Sequence, residues 1–170
     1  MPTAAYGKNG RQMQAQPQTD TTTLHQAYAS SAYVVTGSPE PMVLQVGLRN
    51  LAVARLLQAH GLTSAVFVSA HNPRSQALSA EQNQARHRQL LADLSPHWRL
   101  YEGFGVSPRG DWPAETSVLV MCDQPDFHVQ WMTTYQQNAV VLVHASGDVS
   151  LQLAKDQPAP DHQPSSGTTR

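Results

Sequence analysis

Apolar positions in this chain gather in short runs, and the runs outline a sheet. Ser64-Ala65-Val66-Phe67-Val68, Ser117-Val118-Leu119-Val120-Met121 and Ala139 to Val143 are nearly continuous and of strand length, the pattern of strands covered on both faces. Tyr33-Val34-Val35, a turn at Gly37-Ser38-Pro39 and a second strand over Met42 to Val46 read as an opening β-hairpin. Trp98 to Tyr101 reads as a short strand and Val149 to Leu153 as an edge. Between them the apolar spacing lengthens to that of helices. Leu51, Ala54 and Leu57 share a face, with Asn50 as N-cap and Gly61 just past the C-terminus. Ser79 and Gln82 form a capping-box pattern opening a helix through Arg86, Leu90 and Leu91 that Ser95-Pro96 stops. Phe127, Trp131 and Tyr135 repeat at helical spacing, and Leu24 to Ala29 suits a short helix. Helices alternating with apolar strands predict an α/β (or α+β) domain: a single mixed β-sheet of about five strands with helices packed over it.

Periodicity fails at both ends. Residues 1–23 are rich in Gln and Thr, and 154–170 carry prolines and Ser-Ser-Gly-Thr-Thr. Neither buries enough apolar surface to offset the entropy of ordering, so both read as disordered arms around one domain at 24–153. The 170 residues include 40% hydrophobic and only 14% charged positions, and the net charge is −1. That balance offers nothing to phosphate backbones or anionic lipids, so the expectation is neither nucleic acid nor membrane as partner. With no apolar run of spanning length and no signal-peptide hydrophobic region in the first 30 residues, the expected location is the cytoplasm. Cys122, the single cysteine, lies in an apolar run and reads as a small buried hydrophobe.

Chemistry concentrates after the first buried run, in Ala70-His71-Asn72-Pro73-Arg74-Ser75-Gln76. Ligands of α/β sheets gather beyond strand ends, where this loop falls. Asn72 offers an amide, Arg74 a bidentate fork for carboxylate or phosphate, Ser75 a hydroxyl, and His71 a proton exchanged near neutral pH. Asn83 and Arg86, three apart on the following helix, are placed to reach the same ligand. Glu115, just before a buried strand, is the candidate general base or the partner of Arg74. Two readings stay open. In one, a small polar or anionic ligand is oriented by Asn72, Arg74, Ser75, Asn83 and Arg86, with Glu115 or His71 moving a proton. In the other, Asn-Pro merely starts a turn, Arg74 pairs with Glu115 as scaffold, and the chain is an interaction module for a protein partner. Asn138 reads as a C-cap or left-handed residue ending a helix. Gly103, Gly105, Pro108, Gly110 and Pro113 read as marking a loop of about a dozen residues. No zinc or di-iron spacing, dinucleotide fingerprint, phosphate loop or nucleophile elbow is present, so no metal site is expected and the cofactor is left unassigned.

Val68 to Gln76, then Ser79 with Asn83, Trp112-Pro113 with Glu115 and Ser117, and Gln137-Asn138-Ala139 resemble, in order and spacing, a bacterial family of uncharacterised proteins catalogued as domain of unknown function 3293. The resemblance spans about Tyr28 to Val143. It implies that the His71–Gln76 loop and the Trp112–Ser117 segment belong to one design, and it assigns no residue a role.

Overall fold

The computed structural model describes residues 21–124 and 126–155. The two arms lie outside the described residues except where they meet the domain. There, 21–23 open a helix, α1 (Thr21–Ser30), three residues before the expected start. The hairpin follows as β1 (Ala32–Val35) and β2 (Met42–Leu44), paired antiparallel with Tyr33 opposite Leu44. Helix α2 (Leu51–Ala59) begins where Asn50 Oδ1 accepts the Val53 N–H, and Gly61 just beyond it takes the left-handed conformation (φ +66°) that ends helices. Next come β3 (Ser64–Ser69) and α3 (Ala80–Leu94), whose capping box is complete: Ser79 accepts from the Gln82 backbone and Gln82 accepts from the Ser79 backbone. The chain continues through β4 (Arg99–Val106), β5 (Glu115–Cys122), α4 (Phe127–Thr134), β6 (Ala139–His144) and β7 (Val149–Leu153).

Among the described residues the sheet has seven strands in the order β2-β1-β4-β5-β3-β6-β7, and every neighbouring pair is antiparallel. That corrects the expected mixed sheet of about five strands. The apolar runs of β3, β5 and β6 look like parallel strands because helices cover both faces, which is a matter of layers and not of strand direction. Each helical crossover skips a strand: β3-α3-β4 leaves room for β5, and β5-α4-β6 straddles β3. The four strands therefore stand in the order β4-β5-β3-β6, the split βαβ arrangement of ferredoxin-like folds, extended by the hairpin on one side and β7 on the other.

A second correction concerns the glycine-rich stretch. Gly103 and Gly105 sit inside β4, paired with β1 and β5, and only 107–114 remain as connection. At Gly103 a Cβ would collide with the Val34 carbonyl and crowd the Phe67 ring, so glycine there allows close strand approach instead of marking a loop.

Strand alternation sorts the core into two. On one face Phe67, Leu119, Met121 and Val141 pack with Val53 and Leu57 of α2. On the other, Val66, Val68, Val118 and Val120 pack with Leu90 and Leu94 of α3, with Trp131 and Met132 of α4 and with Tyr135 just past its end. Cys122 is buried in this second layer. Among the described residues no helix is long and apolar enough to cross a membrane.

Candidate functional site

The loop after β3 is built almost entirely from internal hydrogen bonds. Asn72 is left-handed (φ 42°), and so are Arg74 (φ 54°) and Ser75 (φ 60°), a conformation unfavourable to residues bearing a Cβ. Hydrogen bonds from its backbone amides hold it in place. The Asn72 N–H donates to Asn83 Oδ1 (2.9 Å), Arg74 N–H to the Gln136 carbonyl (2.7 Å), Ser75 N–H to the Asn72 carbonyl (2.9 Å) and Gln76 N–H to the Pro73 carbonyl (3.0 Å). His71 N–H donates to Ser69 Oγ at 3.0 Å. Since these amides are engaged within the protein, they make no cradle for an anion.

The Asn72 side chain links the loop to β5. Its Nδ2 donates to Glu115 Oε1 (2.9 Å), while its Oδ1 accepts from Asn83 Nδ2 (2.9 Å) and from the Leu78 N–H (3.1 Å). Asn83 is buried on the inward stripe of α3, in line with His87, Leu90 and Leu94. Glu115 is half-buried, and among the described residues it has no cationic partner. Burial raises its carboxyl above the usual carboxylate range, and the Asn72 amide only partly offsets this. Glu115 lines a small cleft on the α2 side of the sheet with Ser69, Ser117 and Gln137, and Tyr28 of α1 closes over it. The Tyr28 hydroxyl faces Ser75 and Asn138, and Asn138 Nδ2 donates to Ser75 Oγ at 2.8 Å. Burial raises the Tyr28 phenol, with the Glu115 charge adding to the effect.

Other sequence candidates are placed elsewhere. Arg74 does not pair with Glu115; it is exposed and lines a separate cleft. Arg86 serves as a brace, donating from Nε to the Ala70 carbonyl (2.6 Å) and from Nη2 to the Tyr135 carbonyl (2.7 Å), so it ties the end of β3 to the end of α4. His71 faces His87 with ring centroids 6.3 Å apart, and the Nδ1 atoms of both are buried without a hydrogen-bond partner. Burial lowers both imidazoles below their ordinary range. For His71 the neighbouring His87 and Arg86 add to the effect, whereas Glu102 pulls His87 the other way. The left-handed residue after α4 is Gln136 (φ 55°), not Asn138, which leaves the Asn138 amide free to reach Ser75. Among the described residues no group of three or more His, Cys, Asp or Glu is placed to hold a metal.

Sequence reasoning missed Tyr28 and His87. His87 stands four residues after Asn83, so helical spacing already put it on the inward face. Tyr28 had only the mark of a lone aromatic in a polar stretch.

Residues 68–140 match the model of a family described as protein of unknown function (DUF3293), which bears out the resemblance read from the sequence. The match runs from the end of β3 into β6, so it takes in the loop, Asn83, Arg86 and Glu115. No curated protein and no solved structure matches.

Proposed function

We propose that this chain binds a small polar ligand in the cleft beneath Tyr28, with Glu115 accepting hydrogen bonds or a proton from it and Asn72 fixing the carboxylate's orientation. The observation that carries the reading is Glu115 itself: a half-buried carboxyl with one amide partner, no cation among the described residues, and Ser69, Ser117 and Tyr28 around it. A purely structural carboxylate at such a place is expected to have a cation, since burial penalises its charge. A carboxyl raised toward neutrality also suits general acid–base chemistry. The ligand class is one that donates hydrogen bonds and places a small group, such as an amine, in a cleft of about 40 Å³. Anion capture in this cleft is disfavoured, because the loop amides are engaged and Arg74 lies elsewhere.

The test is a thermal-shift screen of the full chain against amines, amino acids, sugars and organic acids, with Glu115→Gln alongside. Gln keeps the acceptor for Asn72 and removes the charge. The variant is expected to melt no lower than wild type and to lose the response. A ligand at ~100 times its dissociation constant adds about 2.7 kcal/mol, readily visible in the melt. If nothing responds and Glu115→Gln melts well below wild type, the carboxyl is scaffold and the reading fails.

One observation favours the alternative of a protein-interaction module. Val43, Leu48 and Leu51 are each at least 50% exposed beside β2, an edge strand. Under that reading Leu51→Lys abolishes a concentration-dependent rise in mass seen by light scattering. A wild type that stays monomeric, with no partner recovered through this face, excludes it.

A further inference from the structure

Arg74 occupies a backbone position that glycine fills without strain, at φ 54° and ψ 33°, next to Ser75 at φ 60°. The Arg74 N–H is pinned to the Gln136 carbonyl at 2.7 Å, so the strained conformation is imposed by the fold. Backbone geometry does not explain an arginine there. What arginine adds is its guanidinium, and among the described residues that group makes no ion pair or side-chain hydrogen bond. Strain retained at a residue whose side chain serves no structural contact marks a functional position.

The surroundings say what the guanidinium meets. Arg74 lines a cleft of about 220 Å³ between α4 and the end of β7, with Lys155 as a second cation and Val129, Met132, Leu153 and Ala154 as apolar wall. Among the described residues no carboxylate lines it and no lining residue is shared with the Glu115 cleft. Met132 brings a polarizable side chain that adapts to irregular aliphatic ligands. We infer that this cleft is a second binding site, for an apolar monocarboxylate of about six carbons. The planar Arg74 fork takes the carboxylate, Lys155 adds point-charge attraction, and the tail lies against Met132 and Leu153.

The experiment titrates the full chain with hexanoate, acetate, hexanol and hexyl phosphate, followed by calorimetry and by melting temperature. Hexanoate is expected to bind saturably at one site. Acetate, which lacks the tail, and hexanol, which lacks the charge, should each bind at least about tenfold more weakly. Arg74→Gly should melt at the wild-type temperature or above it, because the strain is relieved, yet lose at least about tenfold in hexanoate affinity. Val129→Asp, at a position 56% exposed, should fold normally and also weaken hexanoate by placing a like charge in the cleft. Glu115→Gln should bind hexanoate as wild type does. Absence of saturable binding, unchanged affinity in Arg74→Gly, or a preference for hexyl phosphate overturns the assignment. Loss of hexanoate in Glu115→Gln does so too, because it puts the anion in the other cleft.

Discussion

Glu115 is held above its ordinary range while His71 and His87 are held below theirs, so these groups couple folding to pH with opposite signs. The two imidazoles lose proton affinity on folding. Their contribution to stability is therefore complete above the usual imidazole value of 6.5 and is lost as pH falls through their lowered values. Glu115 gains proton affinity on folding. Its contribution is complete below the usual 4.5 and is lost as pH rises through its raised value. Urea melts between pH 4 and pH 8 separate the two. His87→Leu is expected to flatten the loss of stability below pH 6.5, and Glu115→Gln to flatten the loss on raising the pH above 4.5. Wild-type slopes in both variants would show that neither environment perturbs its group. Of this residue-level chemistry, the sequence made the loop and Glu115 visible because their side chains are polar next to apolar runs. It hid the pairing, because Asn72 reaches Glu115 across 43 positions in sequence through a left-handed turn that no local pattern announces.

Elements bounded by local chemistry were legible, and those bounded by tertiary contact were not. Helices α2 and α3 begin at the caps that Asn50 and Ser79 supply, and these caps are local events. Strand β4 runs five residues past its expected end at Tyr101, because pairing with β1 and β5 overrides the low strand preference of Gly103 and Gly105. Arg86 belongs to this scale as well. Reading it as a ligand group took the helix face alone into account, whereas its guanidinium closes the gap between two element ends. Arg86→Met strands both carbonyls and is expected to cost about 2 to 4 kcal/mol in equilibrium unfolding. Arg86→Lys, with a single donor group, should recover only part of that. An Arg86→Met protein as stable as wild type would remove the bracing role.

For the whole molecule, the class of helices over one sheet was readable from alternation, but strand order was not. Apolar runs report how many faces are covered and carry no information on which neighbour is skipped. The layering predicts a graded stability. β3 and β5 lie inside the sheet with both faces covered, while no described side chain of α1 is fully buried. Amide hydrogen exchange in α1 should be faster than in β3 and β5 by ~10³-fold or more. Equal protection would mean that α1 is integral to the core.

The strand order also dictates a timetable for synthesis. β1 pairs on its inner side with β4, Ala32 opposite Val106, so the hairpin emerges long before its neighbour exists. At ~5–20 residues per second, the 62 positions from Leu44 to Val106 take roughly 3 to 12 seconds to add. Through that interval Val35 and Leu44, fully buried in the finished protein, have only α2 and β3 to shelter them. A nascent chain of this order is most open to chaperones, or to pairing with a second nascent chain, in its first half, and it becomes self-sufficient once β5 arrives to join the two sides.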